Sequence, residues 1–242
     1  MGGFVSGNGK VDAVLWDLDG TLIDTSSSSL LSLVEILEEF GVSLDLAQIT
    51  PIIEQQSHTG EKKDKGKWAS TVLEMTGLKK LTAEELLKRW DEKMVQKRAS
   101  IKALPGAIEV VKHLKECKIP QAIVTMSNAR SVAVKRKQNE ELFGMMDLIL
   151  TSDDKRIKNR KPHPDCYLLA SELLNVKSTR CVVVEDSPEG MRAGKSAGCK
   201  VVAVPAAWTK NMGRKLTTDF LITTLRDFPF RKLGLPKMRS IK

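Results

Sequence analysis

Five short apolar runs, Val11–Trp16, Gln121–Val124, Leu148–Leu150, Cys181–Val184 and Val201–Val204, constrain this chain more than any other feature. Runs this brief and this continuous suit strands covered on both faces, the setting of a parallel sheet rather than of an antiparallel sheet with one wet side. Helical patterns lie between them. Ala107–Lys118 follows Pro105-Gly106 and spaces Ile108, Val111 and Leu114 along one face. His163–Leu174 places Tyr167, Ala170 and Leu174 together, and Ser187–Ala197 opens with a serine suited to the N-cap and a proline suited to the first helical position. Strands alternating with helices imply βαβ units. The expected fold class is α/β, a doubly wound, Rossmann-like parallel sheet.

Residues from about 25 to 103 break that rhythm. Ser29–Phe40 carries Leu30, Leu33, Val34 and Leu37 at i, i+3, i+4 and i+7. Helical patterns recur at Ile49–Gln56, Lys67–Met75 and Thr82–Ala99, the last starting with a Thr-x-x-Glu capping box. The expected organisation is a core of residues 1–24 and 104–242 with an all-helical cap, 25–103, inserted after the first strand. Such an insertion lies over the carboxyl edge of the sheet, where open α/β folds bind ligands.

Composition excludes several classes. Of the 242 residues, 41% are hydrophobic and 29% charged, as in an ordinary globular chain. No apolar run approaches the ~18–20 residues of a membrane span, and Met1–Lys10 lacks an apolar signal core. A cytoplasmic protein without a transmembrane segment is expected, and a monomer. The cysteines Cys117, Cys166, Cys181 and Cys199 are scattered, three of them in apolar stretches, which suits reduced, buried thiols. The formal charge of +9 is spread over Lys62–Lys67, Lys135–Lys137, Lys155–Lys161 and a C-terminal tail, Lys232–Lys242, expected to be frayed. No nucleic-acid signature interleaves with these clusters, so a basic surface attracting an anionic small molecule is expected, and no nucleic acid. Met1-Gly2-Gly3-Phe4-Val5-Ser6 fits the short N-myristoylation pattern, and the sequence leaves lipidation open.

The chemistry concentrates at the ends of the apolar runs. Asp17-Leu18-Asp19-Gly20-Thr21 follows the first run directly, two carboxylates completed by a glycine and a threonine. In this, the chain resembles the haloacid dehalogenase superfamily, whose signature is Asp-x-Asp-Gly-Thr. The other elements of that family follow in order: Thr125 closing the second run, Lys161-Pro162-His163-Pro164-Asp165, and Glu185-Asp186-Ser187 closing the fourth. Thr125–Phe143 and Leu225–Pro236 further resemble the eukaryotic pseudouridine-5′-phosphatase and glycerol-phosphatase group.

The resemblance implies a Mg²⁺-dependent phosphatase of small phosphomonoesters. Asp17 would be the nucleophile, forming an aspartyl-phosphate, and Asp19 the general acid and then base. Mg²⁺, which prefers six oxygen ligands, would be held by Asp17, the backbone carbonyl of Asp19 and Asp186, with Glu185 fixing a metal-bound water. Lys161 and Thr125 would hold phosphoryl oxygens, with backbone N–H groups near Leu18 and Met126 as further donors and Asn128 ordering their loop. Aspartate at position 19 is the pattern of phosphatases and phosphomutases, so a phosphosugar mutase is the near alternative. A nucleic-acid- or membrane-binding protein with secondary phosphatase activity is the distant one. Caps select the leaving group, and His58 and Lys62 lie where relatives present a specificity loop; an exposed polar turn is the equal alternative there. His113 is expected to be solvated, and His163 to place its loop rather than bind metal.

Overall fold

The computed structural model describes residues 10–43, 65–97, 101–204 and 218–238. The expected helix Ile49–Gln56, together with His58 and Lys62, lies outside the described residues, as does Gly2.

Six parallel strands form one sheet in the order β3-β2-β1-β4-β5-β6. They are β1 (Ala13–Trp16), β2 (Gln121–Val124), β3 (Leu148–Leu150), β4 (Cys181–Glu185), β5 (Lys200–Ala203) and β6 (Phe220–Leu221). The expected α/β doubly wound sheet is therefore present, and the five apolar runs supply its first five strands. Side chains alternate between two buried layers. Val14, Trp16, Ile123, Val182 and Val184 pack in one, and Ala13, Leu15, Ala122, Val124 and Val183 in the other. Burial on both faces is why these strands read as continuous apolar runs.

Helices cover both layers. One side carries α4 (Ala107–Glu116), α5 (Ala129–Gln138) and α6 (Glu140–Gly144), and the other α7 (Asp165–Leu173) and α8 (Pro188–Ser196). Cys166, Cys181 and Cys199 are free and buried in the second layer, where burial raises their thiols to about 11, 11 and 12. They stay protonated and inert at neutral pH.

Between β1 and β2 the chain makes a helical excursion, the cap, through α1 (Ser26–Glu38), α2 (Lys65–Thr76) and α3 (Ala83–Lys97). It has its own apolar cluster, in which Leu33, Ile36, Leu37, Trp68, Val72 and Leu86 are buried. Trp68 and Trp90 meet edge to face at 5.4 Å. Thr82 and Glu85 form the expected capping box: the Thr82 N–H donates to Glu85 Oε2 at 2.9 Å, and the Glu85 N–H to Thr82 Oγ1 at 3.2 Å. The chain leaves and re-enters the core as a pair: Ile23 bridges Ala103 antiparallel, the Asp24 N–H donates to the Lys102 carbonyl and the Leu104 N–H to that of Leu22.

Two expectations are corrected here. The basic tail is anchored through residue 238, because Leu233 and Leu235 are buried and the Val11 N–H donates to the Leu233 carbonyl at 3.0 Å. Before it, Phe228 packs on Trp16 and meets Phe230 edge to face. His113 is likewise engaged, with Nε2 2.9 Å from the Pro236 carbonyl oxygen and its ring edge-on to Phe230. Among the described residues no helix is long and apolar enough to cross a membrane.

Candidate active site

Strand register assembles the site. The chain order reverses direction across the sheet at β1 and β4, the point where doubly wound sheets open a crevice at their carboxyl ends. Trp16 lies beside Val184, so Asp17 emerges next to Glu185 and Asp186. The Asp17 N–H extends the pairing with a 2.9 Å bond to the Val184 carbonyl. Carboxylate oxygens of Asp17, Glu185 and Asp186 lie within 4.8 Å of one another, and all three residues are buried.

Two glycines make room for these acids. Gly20 has φ +82°, and a Cβ there would lie 2.2 Å from Asp186 Oδ2. The position is thus closed to side chains by backbone and by space. Thr21 Oγ1 donates to Asp186 Oδ1 at 3.3 Å. A Cβ on Gly190 would lie 1.7 Å from Glu185 Oε1, because Glu185 is tucked against the start of α8. There the Ser187 N–H and Oγ–H donate to Glu185 Oε2 at 3.1 and 2.9 Å, and Ser187 Oγ caps the helix by accepting from the Gly190 N–H.

Lys161, buried before α7 and followed by a cis Lys161–Pro162 bond, spends all three ammonium protons. It donates to Asp17 Oδ1 at 2.6 Å, Glu185 Oε1 at 2.7 Å and the Val124 carbonyl at 3.0 Å. The Tyr167 hydroxyl adds a 2.8 Å bond to Glu185 Oε1, and Lys161 Nζ stands 5.0 Å from the Tyr167 ring centroid. Burial tends to raise Glu185, but the Lys161 charge and the hydrogen bonds around it prevail and hold it below the usual carboxylate range. Burial pushes Asp17 up to about 7, with Lys161 opposing and Glu185 adding repulsion. Asp186 is raised well above its ordinary value by burial and by Asp17 and Glu185.

A second cluster flanks the first. The Asp19 carboxylate turns toward the loop after β2 and toward α5. Its Oδ2 accepts from Ser127 Oγ at 2.7 Å and Thr125 Oγ1 at 3.3 Å, and its Oδ1 from the Lys135 ammonium at 2.5 Å. Burial works to raise Asp19, but the Lys135 charge and these hydrogen bonds outweigh it, so its carboxyl lies below the usual range.

With all four carboxylates ionised, the two ammonium groups across the two clusters leave two negative charges, which a divalent cation would compensate. The three carboxylates at the strand ends offer oxygen donors alone, the set a hard divalent cation prefers over thiol or imidazole. The donor set therefore fits the metal site typical of the fold.

Residues 14–204 match the haloacid dehalogenase-like hydrolase family. The chain belongs to it. It is an enzyme of that hydrolase family and falls among its phosphatases. It is 32% identical over 239 residues to the probable pseudouridine-5′-phosphatase of Drosophila melanogaster, covering 94% of this chain and 95% of that one. It is 30% identical over 235 residues to (DL)-glycerol-3-phosphatase 2 of Arabidopsis thaliana, covering 96% and 94%. A hydrolase of the same family from Deinococcus radiodurans R1, solved with bound phosphate and sodium, shares the fold with a TM-score of 0.74 at 23% identity, over 90% of this chain and 93% of that one.

Within this haloacid dehalogenase-like hydrolase the motif residues come together unevenly. Asp17, Lys161, Glu185 and Asp186 form one cluster, and Asp19 and Thr125 belong to the other. The Leu18 side chain is buried and its carbonyl accepts from Leu22 and Ile23. Met126 is half-buried beside Ser127. Asn128 is the N-cap of α5, its Oδ1 accepting from the Ser131 N–H at 2.9 Å. His163 is exposed. Three participants go unread in the sequence: Tyr167, Ser127 and Lys135. Lys135 belongs to a run expected to be solvated surface, yet it is 5% exposed. The signal for it is Val132, three residues earlier and buried on the same face of α5.

Proposed function

We propose that this chain is a Mg²⁺-dependent phosphomonoesterase that hydrolyses a small metabolite phosphate through an aspartyl-phosphate on Asp17. The observation that carries it is Lys161 Nζ bridging Asp17 and Glu185 beside Asp186. Lys161 is a fixed cation: burial would lower it, but Asp17 and Glu185 hold it well above its ordinary value. It stands where a phosphoryl group must arrive. The proposed substrate is nucleotide-like, such as pseudouridine 5′-phosphate, or a polyol or sugar phosphate, as the names of the relatives suggest.

Asp17, Asp186 and the backbone carbonyl of Asp19 are the proposed Mg²⁺ ligands, with Glu185 alongside. When bound, the cation neutralises charge on the phosphoryl oxygens and keeps Asp17 ionised. An Asp17 oxygen then attacks phosphorus. Asp19, held ionised by Lys135 in the free site, takes up a proton as substrate binds. The P–O ester bond then breaks, its electron pair leaves on the alkoxide, and that oxygen takes the proton from Asp19. In the second step water attacks the phosphorus, gives a proton to Asp19, and the bond to Asp17 breaks to release inorganic phosphate. Lys161 supplies positive charge beside the transferring group while its protons stay on Asp17, Glu185 and the Val124 carbonyl. Thr125 turns its hydroxyl from Asp19 to a phosphoryl oxygen, and backbone N–H groups near Leu18 and Met126 assist. The cap, proposed as residues 25–103 on a core of 1–24 and 104–242, chooses the leaving group. His58 and Lys62 are its proposed contacts.

Phosphate release from a panel of monophosphates tests this. Pseudouridine 5′-phosphate, glycerol phosphates, flavin mononucleotide and hexose phosphates should show one substrate well above the rest. Release should stop with EDTA, return with Mg²⁺ and be absent in Asp17→Asn. Turnover that survives Asp17→Asn or EDTA defeats the reading, and isomerisation that requires a bisphosphate activator would make the protein a mutase.

A further inference from the structure

Lys135 is a cation that none of the motifs requires, buried on the inner face of α5. Taking such a charge out of water is expensive unless it is paired, and its pairing is specific. Its ammonium touches Asp19 Oδ1 and, at 2.7 Å, Ser127 Oγ, while that same hydroxyl donates to the other oxygen of the Asp19 carboxylate. Asp19, Ser127 and Lys135 thus close a triangle in which each member touches both others. Thr125 adds a second bond to Asp19 Oδ2, and Thr125 Oγ1 itself accepts from the Ser127 N–H at 3.1 Å. A carboxylate held at both oxygens has little freedom about its last two torsions. Lys135 is itself anchored through its helix: Asn139 Nδ2 donates to the Lys135 carbonyl at 3.1 Å and to the Ile101 carbonyl at 3.0 Å. Ile101 stands on the segment by which the chain returns from the cap.

We propose that Lys135, with Ser127, is a positioning residue that fixes the direction of the Asp19 carboxylate for proton transfer to the leaving group. The inference rests on the reading of Asp19 as the acid and base of the reaction. Lys135 acts through Asp19, and α5 ties that aim to the cap linker through Asn139.

Substrates that differ in leaving group separate this role from a structural one. An alkyl phosphate needs its alkoxide protonated, whereas p-nitrophenyl phosphate releases a stable anion and needs little help. Lys135→Met should lower kcat/KM for the preferred alkyl phosphate about 10²-fold, the scale of a misaimed catalytic group, and for p-nitrophenyl phosphate less than about tenfold. In an Asp19→Asn background the same change should have almost no further effect, since residues acting as a unit are not additive. Ser127→Ala, at a half-buried position that tolerates truncation, should show the same leaving-group dependence with a loss of about tenfold. Equal losses on both substrates, a full Lys135→Met loss persisting beside Asp19→Asn, or wild-type rates in both variants would each overturn the inference. An Asp19→Asn enzyme at wild-type rate would instead overturn the role of Asp19 itself.

Discussion

The two lysine-centred clusters differ in how they are closed. Lys161 is sealed: its side chain is 3% exposed, Glu185 is fully buried, and every proton of the ammonium has a protein acceptor. The Lys135 cluster is open on one side, with the Asp19 side chain 29% exposed. The difference follows from what each holds. On the proposed mechanism, the first fixes charge where phosphorus would sit and has no cause to move, and the second aims a group that would meet both a departing alcohol and an arriving water.

Removing the cation from the sealed cluster should do the most damage. Lys161→Ala strands Glu185 and Asp17 as buried acids, so it should cost about 3–5 kcal/mol of stability in denaturant melts. Phosphatase kcat should fall by roughly 10²–10³. A near-normal rate would show that the sealed cluster is scaffolding alone.

Mg²⁺ binding should sharpen the contrast through pH. Asp17 is raised to about 7 by burial and by Glu185, against the pull of Lys161. Its proton therefore stabilises the cation-free fold below the unfolded value near ~3.9, and this contribution fades as pH rises through about 7. A cation must displace that proton. At a Mg²⁺ concentration of about 100 dissociation constants at pH 8, the gain should be about 2.7 kcal/mol. At about pH 6 and the same concentration it should shrink by at least roughly 1.4 kcal/mol, one decade of affinity per pH unit below that value from Asp17 alone, with Asp186, also raised, giving up its own proton. A thermal shift independent of pH would remove Asp17 from the cation site.

The smallest effect belongs to the rim of the sealed cluster. Tyr167→Phe deletes one hydrogen bond to a charged acceptor and should cost about 1.5 kcal/mol in melting experiments. Turnover should drop less than about tenfold, because Lys161 keeps its contacts to Asp17 and Glu185. A larger loss of rate would mean that the tyrosine itself sets the charge of Glu185.

How much of this could be read in the sequence divides along the same line. The sealed cluster is built at strand ends, and strand ends leave a linear trace: an apolar run, then Asp17, or Glu185-Asp186. Gly20 and Ser187-Pro188 stand in the same short motifs, so their roles were also within reach. β6, two residues paired through Val202↔Phe220 and Ala203↔Leu221, is too short to carry any pattern. The open cluster was hidden because α5 has only Val132 and Lys135 buried, while its other apolar residues, Ala129, Ala133 and Val134, lie elsewhere, so its inner face shows no apolar stripe. Tyr167 was legible as a helix-face residue, but its hydroxyl contact depends on how α7 docks on the sheet, which spacing cannot express. The tail from Lys232 reads as a loose basic end because Lys232 and Lys237 flank and mask Leu233 and Leu235.

The isolated bridge between Ile23 and Ala103 has an evolutionary and engineering consequence. Because the excursion departs and returns at a single hydrogen-bonded doorway, its length hardly enters the cost of closing the sheet, which grows only logarithmically with the residues enclosed. A lineage could exchange the helices beyond that doorway for others of different size and leave the sheet undisturbed, acquiring a new appetite on an old engine.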